Sequence, residues 1–452
     1  MGTNTSLKRS LGLWAIVALG LGYMTPTVVF DTFGIVSKQT GGLVPLAYVV
    51  GLIVMLFTAF SYGKMVKVFP SAGSAYTYTR ETMGPRLGFL VGWASLLDYL
   101  LLPLVNAVII RLYMESLFPD ASAWIWVVVY VAFVTAINAF SMKSTSGVNI
   151  ILVVFTMALM AAFVVLGAIQ LYKGMGTGTL LTIQPMFQEN MHITAVLTGA
   201  TIVCFSFIGF DAITMYTEEA KDINLMPKAI ALTVLIGGAV FFVGAYFAQT
   251  LFPDVSVFNV VDDTLPEIAL YVGGVVFQLI FLAGAFAATI ASGLASHSSV
   301  SRLLFVMGRN GVLPKKLFGY VHPKFRTPTF NVIFVGLVSL FAMGPSLELI
   351  AAVINFGALI AFTFVNLSVI AYFVFKKKQY QTPKQVFSYI VMPTIGAALT
   401  GVLWAHLHAD AFIGGIVWVA IGIIYMIIMS KVFKRDITDL GVDEADNERL
   451  IG

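Results

Sequence analysis

Twelve apolar stretches, each about as long as a bilayer's hydrocarbon core is thick, run through the chain with short polar connections between them. They cover roughly residues 11–37, 44–68, 86–118, 123–141, 147–172, 193–218, 227–252, 268–303, 329–345, 348–375, 386–407 and 411–433. The division between the ninth and tenth rests on Gly344-Pro345, a turn signal. Hydrophobic residues make up 59% of the chain and charged ones 11%, against about 25% charged in soluble domains. The sequence thus reads as an all-α, multi-pass membrane protein, sized by the lipid bilayer rather than by a water-facing shell. Its net charge of +4 carries no nucleic-acid signal, because the charges follow the membrane topology. A single cysteine, Cys204, excludes an intrachain disulfide and any multi-cysteine metal site. No cofactor or metal is expected. The first apolar stretch lacks a cleavable signal pattern and reads as a retained helix.

Lysine and arginine test the helix count. With an even number of crossings both termini share one side. Placing them in the cytoplasm puts all but Lys38, Arg111 and Lys173 of the 26 basic residues on that side. The opposite loops carry Asp120, Asp254, Asp262, Asp263 and Glu267. The expectation is a protein of the cell (inner) membrane with both termini cytoplasmic. Helices one to five then start inside and end outside, and helices six to ten do the reverse. That makes residues 9–176 and 192–376 two halves of an inverted-topology repeat. Residues 385–435 add helices eleven and twelve, and 436–452 form a polar cytoplasmic tail.

The first and sixth helices, corresponding members of the two halves, both contain helix-hostile residues followed by Phe-Asp. One runs Gly22-Tyr23-Met24-Thr25-Pro26-Thr27-Val28-Val29-Phe30-Asp31, and the other Phe205-Ser206-Phe207-Ile208-Gly209-Phe210-Asp211. Unpaired backbone and buried carboxylates are costly in lipid and are tolerated where they line a cavity. Paired interruptions of this kind point to the substrate site of a secondary transporter.

A third acid, Asp98, lies about 12 residues into helix three, roughly 18 Å along it and near the membrane middle. No lysine or arginine is expected mid-membrane to neutralise the three acids. Arg111 is read as snorkelling to the outer surface. Buried acids without a buried base favour a cationic ligand, a proton, or both. The bland alternative is that each aspartate only caps a half-helix. Most of the aromatic residues are packing, but Phe205 and Tyr99 adjoin a break and an acid, where cation–π contact is possible. Glu218 and Glu219 end helix six as inner-gate or structural charges. His297 reads as a structural histidine.

Pro70-Ser71-Ala72-Gly73-Ser74-Ala75-Tyr76-Thr77-Tyr78, followed by Gly84, Gly88 and Gly92-Trp93, resembles a signature of the amino acid–polyamine–organocation superfamily. So does Ser301-Arg302-Leu303-Leu304-Phe305-Val306-Met307-Gly308-Arg309-Asn310-Gly311-Val312-Leu313-Pro314, with Thr327-Pro328. Phe207-Ile208-Gly209-Phe210-Asp211 and Glu218-Glu219 resemble its helix-six pattern. The stretches 29–37, 96–99, 319–323, 355–359 and 364–368 look like those of bacterial putrescine importers. The resemblance implies a LeuT-like fold and proton-coupled amine uptake, with sodium less favoured.

Amino-acid carriers of that superfamily usually place Gly-Ser-Gly at the first break, where bare amides cradle the substrate carboxylate. Here Thr25-Pro26-Thr27 stands instead, and proline has no N–H to give. The helix-five stretch also lacks the buried lysine that some proton-coupled relatives use. The resulting expectation is an importer of a small di- or polyamine, putrescine first. Tyr23, Met24, Thr25, Thr27, Asp31, Asp98, Tyr99, Phe205, Ser206, Ile208 and Asp211 would contact the substrate. Asp31, Phe205, Asp211, Glu218 and Glu219 would gate or couple. The rivals are an amino-acid symporter or exchanger, and an amine sensor that does not transport. An enzyme is not expected, since no nucleophile–base pair, phosphate loop or metal cluster is present.

Overall fold

Helix termini in this chain are set by glycine, proline and short polar clusters, and the computed structural model shows where each apolar run stops. It describes residues 11–71, 73–140, 146–309, 311–325 and 327–432. Lys8, Arg9, Lys143, Arg326, Lys434, Arg435, Arg449 and the tail 436–452 lie outside the described residues, as does the side chain of Glu218. Every named element is helical. In chain order they are α1 (Leu13–Met24), α2 (Val28–Asp31), α3 (Phe33–Thr40), α4 (Val44–Val68), α5 (Ser74–Met83), α6 (Pro85–Leu117), α7 (Ala123–Phe140), α8 (Ser146–Tyr172) and α9 (Ile193–Phe207). A 3-10 segment, Ala212–Glu219, follows, and then α10 (Leu225–Leu251), α11 (Leu265–Arg309), α12 (Lys315–Phe318), α13 (Thr329–Ser339) and α14 (Leu347–Val369). The last are α15 (Pro383–Val386), α16 (Met392–Ala405) and α17 (Ala409–Val432).

Among the described residues eleven helices are long and apolar enough to cross a bilayer. The expected ninth span is the exception. Its apolar helix runs only Thr329–Met343 and closes in a 3-10 turn before Pro345. Arg111 does not simply snorkel. Its Nη1 donates to the carbonyls of Ala342 and Met343 at 3.1 and 2.9 Å, capping that short helix. An amphipathic helix, α5, stands between the second and third spans, where the apolar pattern alone predicts only a connection. Gly84, at φ 107°, separates it from α6.

The lipid-facing surface is apolar. Phe133 and Phe140 of α7, Ile151 and Val154 of α8, and Ile413 and Ile416 of α17 are all exposed, a surface that water would not tolerate and lipid does. Inside, α4 packs most extensively on α10, and α6 packs along α14 and α11. Small residues permit these approaches. A methyl on Gly357 of α14 would stand 2.7 Å from the Ala94 carbonyl oxygen and 3.0 Å from the Asp98 amide nitrogen. This contact seats α14 directly against the acid-bearing turn of α6.

Candidate functional site

Pro26 has no N–H for the carbonyl four residues earlier, so α1 ends at Met24. Thr25 takes φ 49°, an uncommon conformation for a residue with a Cβ, and the chain re-enters helix at Val28. In the other half, α9 ends at Phe207, Ile208 is extended and Gly209 sits at φ 118°, which only glycine adopts readily. The chain then resumes as the 3-10 segment from Ala212. The two interruptions touch. A methyl on Gly209 would overlap the Tyr23 ring and lie 3.0 Å from Tyr23 Cβ.

Asp98, Tyr99 and Asp211 come together beside these interruptions. The Tyr99 hydroxyl donates to Asp211 Oδ2 at 2.7 Å, and the Gly209 amide donates to Asp211 Oδ1 at 3.3 Å. Asp98 is 1% exposed, and its Oδ1 has no hydrogen-bond partner. The buried hydroxyls of Tyr23 and Thr27 also lack one. No ion pair among the described residues reaches Asp98 or Asp211. Burying a carboxylate without a counter-charge is costly, so this centre favours a cation.

Asp31 occupies a different level. Its Oδ1 accepts from the Tyr113 hydroxyl at 2.7 Å, and its Oδ2 is buried without a partner. Tyr99 and Tyr113 are fourteen residues apart on one helix, about 21 Å along its axis. Asp31 and Asp211 are therefore held at two depths. A four-carbon diamine, with five bonds between its nitrogens, spans only roughly 6 Å. It cannot bridge them. Asp263 belongs to the Asp31 level, since Thr264 Oγ1 donates to the Phe30 carbonyl at 2.6 Å. Burial, then the Asp31 charge, pushes the Asp263 carboxyl well above the usual carboxylate range.

The remaining candidates divide. Ser206 gives its hydroxyl to a 2.9 Å bond with Tyr48, and Met24 packs its thioether against Gly237 of α10. Thr25, Phe205 and Ile208 are buried at the interruptions. Glu219 lies 3.8 Å from Arg302, while its carbonyl accepts from the Leu11 amide at 3.0 Å. The Lys221 amide donates to the Leu11 carbonyl at 2.9 Å, so the start of the first span is tied to the end of the sixth. His297 is buried and bonded to the Val332 carbonyl at 2.9 Å, in keeping with a structural role. Tyr113, Tyr48, Asp263 and Gly357 escaped sequence reasoning. Their partners are 82, 158 or more residues distant, or sit in a loop whose acids look solvated.

The amino acid permease family matches residues 15–438 of the chain. The low-affinity putrescine importer PlaP of Escherichia coli (strain K12) is 47% identical over 438 residues, covering 96% of this chain and 97% of the relative. The branched-chain amino acid permease BcaP of Bacillus subtilis (strain 168) is 27% identical, with 94% of each chain covered. A vacuolar cationic amino acid transporter 4 of Arabidopsis thaliana is 26% identical over 80% of this chain and 63% of its own length.

Proposed function

The chain belongs to the amino acid permease family, and from that premise we propose that it imports a small diamine, putrescine first, coupled to protons. The observation that carries this reading is the pairing of Asp98 and Asp211 at the touching interruptions, with no buried base beside them among the described residues. Asp98 and Asp211, oriented by Tyr99, take the ammonium groups. Backbone carbonyls at Met24–Thr27 and Ser206–Gly209 accept further ammonium hydrogen bonds, and Phe205 closes over the substrate. Asp31, about 21 Å away along α6, takes the coupling proton. The putrescine importer's identity over nearly the whole chain supports the substrate class.

The architecture that goes with this reading is twelve spans in the inner membrane with both termini cytoplasmic. Residues 9–176 and 192–376 form the inverted repeat, with helices one and six interrupted, followed by 385–435 and the tail 436–452. Its support is that corresponding helices pack together: α4 with α10, and α6 with α11. Glu219 with Arg302, and the Leu11 bridge, act as the inner latch. A dication moving toward a negative interior gains about 4.6 kcal/mol per 100 mV, so import is readily driven.

The branched-chain amino acid permease and the cationic amino acid transporter carry amino acids by name, which keeps a zwitterionic substrate as the second reading. It requires amide donors at the interruptions, and Pro26 supplies none. The test is uptake of labelled putrescine into proteoliposomes under an inward proton gradient and a negative interior. Wild-type protein should accumulate the diamine, and Asp98→Asn should lower kcat/KM by roughly a hundredfold, about the value of a buried charged contact. Undiminished uptake by Asp98→Asn would falsify the assignment, and binding without uptake by the wild type would point to a sensor.

A further inference from the structure

A cavity of about 310 Å³ lies between the C-terminal end of α6 and the loop that enters α11, on the face the topology assigns to the outside. Its walls include Leu112, Glu115, Asn259, Val260, Asp263 and Glu267. Three are acids, and no lysine or arginine lines it among the described residues. Arg111, one turn before Glu115, directs its Nη1 to the Ala342 and Met343 carbonyls and reaches Glu115 only at 4.0 Å. Glu267 is fixed as wall, accepting from the Asn259 and Val260 amides at 2.9 and 3.1 Å.

Asp263 is different. It is 5% exposed, and its one hydrogen bond is a long 3.4 Å contact from the Leu265 amide to Oδ1. Its other oxygen has no partner among the described residues. An almost fully buried carboxylate with a free oxygen on a cavity of small-ligand size is a cation-binding feature, and Leu112 and Val260 offer apolar surface to a methylene chain. Glu115 lies sixteen residues beyond Tyr99 on α6, roughly 24 Å away, so one small diamine cannot occupy both places.

We propose that this cavity is a second, outer binding site for a small organic dication, with the Asp263 and Glu115 carboxyl groups as its anchors. It rests on the amine reading of the central site. The acids raise the local concentration of cations at the entrance, and Asp263 holds one ammonium at the Asp31 level.

The test is equilibrium binding of labelled putrescine to purified full-length protein. The wild type should bind about two molecules per chain. Asp98→Asn should keep one weaker, saturable site, which Asp263→Asn lowers in affinity by roughly tenfold or more and Glu115→Gln by several-fold. Glu115 is half-exposed, so its variant keeps the result interpretable if Asp263→Asn does not fold. One molecule bound by the wild type and none by Asp98→Asn would remove the outer site and leave the central reading intact. Residual binding indifferent to both outer substitutions would also overturn it. No diamine bound by the wild type would overturn the central reading as well.

Discussion

At the first interruption the chain passes from α1 to α2 through Thr25 at φ 49°, Pro26 and Thr27. At the second it leaves α9 through Ile208 and Gly209, at φ 118° for the glycine, and resumes as a 3-10 segment. The first has lost a donor, because Pro26 carries no N–H, and its Val28 amide already bonds to the Thr25 carbonyl at 2.9 Å. The second keeps its donors but uses them internally. The amides of Ile208, Gly209 and Phe210 bond to the Phe205 carbonyl, Asp211 Oδ1 and the Phe207 carbonyl at 3.2, 3.3 and 3.4 Å. The second interruption thus has these three amides engaged, and the first lacks the donor that Pro26 would have supplied. What they present together is acceptors: Asp98, Asp211 and carbonyl oxygens. The difference between them is one of means: the first gives up a donor by composition, and the second ties its donors into internal bonds.

That comparison can be broken at its contact point. Gly209→Ala forces a left-handed residue and a clash with Tyr23, a cost of about 1–3 kcal/mol in strain before repacking. Uptake should be almost lost and the purified protein's Tm lowered. Normal uptake would mean that the interruptions do not depend on each other. Tyr99→Phe comes next. It frees Asp211 Oδ2 from a bond to a charged group, worth about 1.5–3 kcal/mol, so kcat/KM for putrescine should fall roughly ten- to a hundredfold while the Tm changes little. An unchanged kcat/KM would remove Tyr99 and Asp211 from the site. The smallest effect belongs to Pro26→Gly, which returns an amide to the first interruption. Putrescine uptake should fall only a few-fold, and competition by an amino acid with a side-chain amine should strengthen by a similar factor. Unaltered competition would show that the missing N–H does not set selectivity.

Much of this was legible in the chain because an acid, a proline or a glycine inside an apolar run has few structural explanations. Asp98, Asp211, Pro26 and Gly209 announce themselves that way. The helix ends at Met24 and Phe207 follow from local chemistry alone. Depth was not legible. Asp31 and Asp211 look equivalent as Phe-Asp pairs, and only Tyr113 and Tyr99, through contacts 82 and 112 residues apart in sequence, assign them to different levels of α6. Asp263 was hidden differently. It sits beside Asp262 in a polar loop, where a buried acid and a solvated one read the same. The shortness of Thr329–Met343 and the helix α5 were also unreadable, since apolar length does not fix where a 3-10 turn or a surface helix forms.

In the proposed function, the touching interruptions hold an amine and reject a carboxylate. Competition against labelled putrescine uptake in wild-type proteoliposomes tests it most directly, using an excess of an unlabelled diamine or of an amino acid carrying the same side-chain amine. The diamine should abolish labelled uptake, and the amino acid should leave it nearly unchanged. Equal inhibition by the two would mean that the interruptions do not reject a carboxylate.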